Sequence, residues 1–315
     1  ASRLYVAGGD TGRVEVFDVG ADGLLEASTP FDVGGFPAGM VLSEDGSSLY
    51  VAQFKARALA EVDLASGAVV NTLTGLQGAY AVALLPNRGT AGEIWITAFN
   101  DDRVEIVDLA SWTAVDFVDT GINPLGIVAA PDGAHVYVTV AGLDKILKID
   151  TASREVVAEQ LVGETSIADS EGTPLPASSP SGLTLDAAAN RLYVARGADN
   201  AVGIFEADSL APVGAVPVAW YPTAVALQGS TLVVTNGKGV GSGPNTLTTG
   251  KELMTGTASI VDLAAADLPA LTAQVEANVR RPTEIWQWSC DHSFPVPAAD
   301  GGQTPIEHVV LIVRE

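Results

Sequence analysis

The sequence predicts an all-β fold: a β-propeller of four-stranded blades, with six blades, or seven where a further blade lies upstream. Three features of the 315-residue chain carry this expectation. A four-residue apolar word recurs at intervals of 45, 45, 42, 56 and 40 residues. Each copy is followed by a polar turn and an alternating strand that ends in an acid. Most copies are preceded by a strand that opens on Pro or a small residue. Four short strands per 40 to 45 residues, repeated about six times, is the period of a propeller blade.

The words stand at 4–7 (LYVA), 49–52 (LYVA), 94–97 (IWIT), 136–139 (VYVT), 192–195 (LYVA) and 232–235 (LVVT). Their alternation of β-branched and aromatic residues is a strand signal. The acid-terminated strands follow at 14–18, 60–63, 104–108, 146–150, 202–206 and 259–262. Opening strands stand at 37–42, 79–84, 124–129, 180–185, 222–227 and 282–286. Asp45-Gly46 and Asp132-Gly133 supply the left-handed geometry of a tight turn between opening strand and word. A fourth strand fits 68–73 and 155–161, and helical periodicity shows only within 263–279. The first unit lacks an opening strand, whereas 282–288 (PTEIWQW) is an opening strand without a unit. Pairing the two is the expected ring closure, which removes exposed sheet edges. The expected domain organisation is a propeller over 1–290, a linker over 291–304 and a separate strand over 305–315.

Composition narrows the function classes. Hydrophobic residues make up 47% and charged residues 17%, enough apolar material for a packed core and too little charge for disorder. No apolar run reaches the 18 or so residues of a membrane helix. Sixteen basic residues against 38 acidic ones give a net charge of −22, which repels nucleic-acid phosphates and anionic membranes. Cys290 is the single cysteine, so no internal disulfide forms, and zinc sites built on several thiolates are excluded. The acidic, cysteine-poor composition suits an extracellular, cell-surface or periplasmic protein, and it also suits a salt-adapted one. Residues 1–3 run straight into the first word with no leader segment, so the expectation is a chain that starts in mid-structure.

In a four-stranded blade, the turn from second to third strand and the link to the next blade emerge on one face. The two longest insertions, 163–179 and 236–256, belong to that face by strand count. The same face is expected to carry Asp10, Asn100, Asp101, Asp102, Asp144, Asp199, Asn200, Asn236, Lys238 and Asn245, the candidate ligand-binding residues. Asp and Asn there have the oxygen chemistry of a calcium site, and they are equally the residues that make turns. The run 237–243 (GKGVGSG) sits between strands and does not enter a helix, unlike a phosphate-binding loop. His135 reads as a solvated turn residue. Cys290, Asp291 and His292 read as a thiol beside a loop, because near neighbours in one segment rarely point at one another. No catalytic residue is assigned.

The word with its terminal acid resembles the YVTN family of propeller repeats, which implies a bacterial or archaeal secreted or surface protein. Residues 136–139 with 146–150 match it most closely. Two further stretches resemble bacterial proteins that join such a propeller to a phosphoesterase of the alkaline-phosphatase-like superfamily. One is 235–239 (TNGKG) followed by 241–245 (GSGPN), and the other is 305–315 (PIEHVVLIVRE). By that resemblance Glu315 matches a ligand of the catalytic divalent metal. The nucleophile and remaining ligands have no counterpart in the sequence, so the site is incomplete. The resemblance implies an exported, non-catalytic propeller that binds a ligand or docks a neighbouring phosphoesterase domain on its loop-bearing face. Two alternatives are a lactonase-like propeller hydrolase with one calcium in the channel, and a surface-layer or adhesion module.

Overall fold

Each recurring word forms the second strand of an antiparallel sheet, and the strands before and after it complete a blade. The computed structural model describes residues 2–163, 177–239 and 255–279, and it shows a six-bladed β-propeller. Blade 1 holds β1 (Ser2–Ala7), β2 (Arg13–Val19) and two short outer strands, β3 (Leu25–Ala27) and β4 (Phe31–Asp32), both paired to β2. Blade 2 runs, innermost first, β5 (Pro37–Leu42), β6 (Ser48–Gln53), β7 (Ala58–Asp63) and β8 (Val69–Thr74). Blade 3 is β9 (Ala79–Leu85), β10 (Glu93–Ala98), β11 (Arg103–Asp108) and β12 (Thr113–Asp119). Blade 4 is β13 (Pro124–Ala129), β14 (His135–Val140), β15 (Lys145–Asp150) and β16 (Glu155–Leu161). Blade 5 is β17 (Pro180–Asp186), β18 (Arg191–Arg196), β19 (Ala201–Glu206) and β20 (Pro212–Pro217). Blade 6 is β21 (Pro222–Gln228), β22 (Thr231–Asn236) and β23 (Thr257–Asp262). The expected closing strand at 282–288 lies outside the described residues. His135 is the first residue of β14, opposite Asp150, and not a turn residue: the strand starts one position earlier than its apolar pattern.

The core lies between blades. The first and third positions of each word face the preceding blade, and the second faces the following one. Leu49 and Val51 therefore cluster with Val14 and Val16 of blade 1, while Tyr50 clusters with Ile94 and Ile96 of blade 3. Trp95 packs the same way onto Val136 and Val138, Tyr137 onto Leu192 and Val194, and Tyr193 onto Leu232 and Val234. Burying an indole leaves its N–H in need of a partner. Trp95 Nε1 donates to Glu93 Oε2 at 3.0 Å, and Glu93 Oε1 accepts from Arg154 Nη2 at 2.9 Å. Arg154 Nη1 also holds Asp116 Oδ2 at 2.7 Å, so a buried carboxylate and one arginine join blades 3 and 4.

Adjacent inner strands approach closely enough to restrict side chains. The third residue of each inner strand is Gly39, Ala81, Gly126, Gly182 or Ala224. A Cβ on Gly39 would stand 2.6 Å from Tyr80 O, and one on Gly182 would stand 2.8 Å from Thr223 O. The pairing register shifts across these positions in blades 2, 4 and 5, the mark of a β-bulge. The threonine that ends the word serves the same junction. Ala81 N–H donates to Thr97 Oγ1 at 2.9 Å, and that hydroxyl donates to Leu125 O of the next blade at 2.8 Å. Gly126 N–H and Thr139 Oγ1 repeat the arrangement at 2.8 Å, with Ser181 O as acceptor at 2.6 Å.

The helical pattern of the sequence is α1 (Leu268–Val279), which packs on β20 and covers an outer strand. Thr272 Oγ1 accepts from Ala215 N–H at 3.0 Å and donates to Leu268 O at 2.8 Å, so the helix caps a sheet edge. Among the described residues no helix is long and apolar enough to cross a membrane.

The acids that end the third strands have a structural task. Asp63, Asp108 and Asp150 accept from the N–H of Ser66, Ser111 and Ser153 at 2.7, 2.8 and 2.7 Å. These bonds, with those from the serine hydroxyls, hold all three carboxyls below the usual carboxylate range. Asp45, bonded by the Ser43 hydroxyl and by the Ser47 amide and hydroxyl, is lowered to about 2. Each folded pKa lies below the unfolded one, so the stabilisation is complete above about pH 4 and is lost as pH falls through the folded values. Replacing Asp63, Asp108 and Asp150 together with Asn is expected to lower the urea midpoint at pH 6. The gap to the unsubstituted chain should narrow as pH falls below about 4, and a gap that stays constant with pH refutes the assignment.

Candidate functional site

The second-to-third turns and the inter-blade links form one face, as their backbone bonds show. Phe54 N–H donates to Phe36 O at 2.9 Å, Phe99 to Gly78 at 3.0 Å, Ala141 to Asn123 at 3.0 Å, Gly197 to Ser179 at 3.0 Å and Gly237 to Tyr221 at 2.8 Å. Each blade thus ties the turn after its word to the residue that precedes its inner strand. That residue is left-handed in every case among blades 2 to 6: Phe36 (φ 62°), Gly78 (68°), Asn123 (59°), Ser179 (51°) and Tyr221 (58°). Four of the five directly precede proline, which disfavours the α region there. The last residue of the turn is left-handed as well, which suits Asp102 (56°), Asp144 (50°) and Asn200 (54°).

These three side chains clamp consecutive blades. Asp102 Oδ1 accepts from Asn123 N–H at 3.0 Å, Asp144 Oδ1 from Ser179 N–H at 2.8 Å, and Asn200 Oδ1 from Tyr221 N–H at 2.9 Å. Asp144 is buried, and its Oδ2 also accepts from Ser178 N–H at 2.7 Å and from Ala177 N–H. Asp199 is buried against Arg196, with Nη2 at 2.6 Å and Nε at 2.7 Å. Asp10 pairs with Lys55 Nζ at 2.5 Å, and Asp101 with Arg103 Nη2 at 3.4 Å. Asn100 is exposed beside Gly78. Asn236 is buried, its amide donating to Ser259 Oγ at 3.0 Å while its Oδ1 has no partner in the described structure. Lys238 Nζ stands 4.5 Å from the centre of the Tyr221 ring. Asn245, Cys290, Asp291, His292, His308 and Glu315 lie outside the described residues. The described ones among the sequence-predicted residues therefore lie on turns and links of one face, each held by its own local partners. Among the described residues no group of three or more His, Cys, Asp or Glu stands together as a metal site.

What that face brings together is aromatic. Phe54 lies 6.1 Å from Phe36, 6.1 Å from Tyr80 in an edge-on arrangement, and 6.0 Å from Phe99, and Lys55 Nζ sits 4.9 Å from the centre of the Phe36 ring. These rings come from blades 2 and 3. Burial pushes the Tyr80 hydroxyl above the usual tyrosine range, and the neighbouring Tyr221 hydroxyl adds to the shift. Tyr80 remains 39% exposed, and Ile122 and Trp220 on the inter-blade links are each 50% exposed. Sequence reasoning passed over this cluster because its members lie up to 63 residues apart (from Phe36 to Phe99). The available signal was Phe36 and Tyr221, each placed directly before the proline of an inner strand.

The opposite face carries the first-to-second-strand turns. It holds a cavity of 610 Å³ lined by Val41, Leu84, Pro86, Arg88, Ala129 and Pro131, among others. Arg88 is tied down by its bond to Thr151 Oγ1.

No protein-family model matches the chain, and no curated protein matches it. Among solved structures it is similar to hydrazine synthase of Kuenenia stuttgartiensis, with 15% identity over 75% of this chain and 89% of that one and a TM-score of 0.54. It is also similar to a chain in a mitotic checkpoint complex crystal structure, with 16% identity over 75% of this chain and 67% of that one and a TM-score of 0.58. At such identities the likeness is one of fold, that of a propeller.

Proposed function

We propose that the chain is an exported, non-catalytic binding or docking module whose loop-bearing face receives a neighbouring metal-dependent phosphoesterase domain. The observation that carries this reading is the aromatic and apolar rim of that face, with Tyr80 exposed against Phe54, Phe54 in contact with Phe36 and Phe99, and Ile122 and Trp220 exposed on other inter-blade links. Exposed aromatic side chains set in a rigid scaffold are the usual anchors of protein recognition. The acids of the face support binding over metal chemistry, because Asp102, Asp144 and Asp199 are committed to backbone amides or to Arg196. The two sequence stretches that resemble propeller–phosphoesterase proteins supply the partner class, and the acidic composition supplies the compartment.

The test supplies an alkaline-phosphatase-like domain from such a two-domain protein in trans. Trp220→Ala is expected to weaken its binding by about 30-fold, the size of an aromatic anchor's contribution. Val157→Ala, on the outer strand of blade 4, is expected to leave it unchanged. Equal effects of the two substitutions, or no binding by the unsubstituted chain, refute the proposal.

A further inference from the structure

Five inter-blade interfaces share one build, and the residues that would make a sixth stand exposed on both terminal blades. The first and third positions of the word are buried in blades 2 to 6, yet Leu4 and Val6 of blade 1 are 41% and 42% exposed. The second position is buried as Tyr50, Trp95, Tyr137 and Tyr193, yet Val233 of blade 6 is 36% exposed. On the third strand, Ile106 and Ile204 face the following blade and are buried, while the matching Ile260 is 73% exposed. Thr97 and Thr139 are buried with their hydroxyls on the next blade, whereas Thr235 at the same position is exposed and, among the described residues, its hydroxyl meets Thr223 Oγ1 of its own blade at 3.1 Å.

The directions match. First and third positions always face the preceding blade, and second positions always face the following one. Leu4 and Val6 therefore face backward and Val233 and Ile260 face forward, so the two bare walls belong to one seam. We infer that blades 6 and 1 close on each other in solution, through Val233 and Ile260 of blade 6 against Leu4 and Val6 of blade 1. Every interface of this kind in the chain is built from the same positions, and an exposed apolar wall on each side is costly to leave in water.

The test is a cysteine pair in the full chain with Cys290→Ser, which removes the native thiol. Val6→Cys with Val233→Cys is expected to form an intrachain disulfide on mild oxidation and to raise the melting temperature by on the order of 5 °C. Val6→Cys with Val157→Cys, two positions on distant blades, is expected to stay reduced. Failure of the first pair to link in a folded chain, or linkage only between two chains, overturns the inference. A readout free of substitutions is hydroxyl-radical labelling of the unsubstituted chain. Leu4 and Ile260 are expected to label as slowly as Leu49 and Ile106, and labelling as fast as Leu25 overturns the inference.

Discussion

Gly126→Val is expected to lower the melting temperature by roughly 6–10 °C, against a change of less than about 2 °C for Ala81→Gly at the matching position of blade 3. Two effects oppose each other at Gly126. Valine has the higher strand propensity, worth up to about 1 kcal/mol. A Cβ at this position, however, runs into the carbonyl oxygen of Ser181 and comes within 2.7 Å of Leu183 Cδ2. The first obstacle is backbone, held in turn by Thr139 Oγ1 at 2.6 Å, so it has little freedom to retreat. Overpacking of this kind costs about 3 kcal/mol, and sterics win over propensity. A stabilised Gly126→Val chain would mean that the inner strands are not in the contact described. Adding Thr139→Val to Gly126→Val should cost less than the sum of the two, because both act on the one junction between blades 4 and 5.

Asp144→Ala is expected to destabilise the chain by about 3 kcal/mol or more, and by the same amount in excess calcium as in chelator. The carboxylate is buried and accepts from the N–H groups of Ala177, Ser178 and Ser179. Without it the buried Ser178 N–H and the half-buried Ala177 and Ser179 N–H groups lose their acceptor, at about 1–3 kcal/mol for each that stays dry. Thermal melts of both chains with chelator and with calcium separate the two roles that sequence leaves open for this residue. A capping residue gives the same loss in both solutions. A loss seen only with calcium present would assign Asp144 to a cation site instead.

The architecture was legible because the information lies within each 40- to 56-residue unit: apolar alternation, a terminal acid and a turn residue recur at matching places. The positions of Asp102, Asp144 and Asn200 at the ends of equivalent turns were legible too. Their partners were not, because each side chain reaches the N–H of a residue 21 to 35 positions away, at the mouth of the next blade. The same holds for Thr97 and Thr139, whose acceptors lie 28 and 42 residues on. A single unit read alone gives no reason for threonine there. Read side by side, the units offer one clue, since small third residues of inner strands and word-ending threonines meet at one junction. The aromatic rim was the least legible feature, because its members come from separate blades and only the ring geometry assembles them.

The measurement that tests the docking account most directly compares hydroxyl-radical labelling of the protein from its native source with labelling of the 315-residue chain. The account predicts that Trp220, Tyr80 and Phe36 are protected in the native protein, while the opposite face at Leu84 and Pro131 labels equally in both. Equal labelling of the aromatic rim in the two samples, or protection confined to the opposite face, would contradict it.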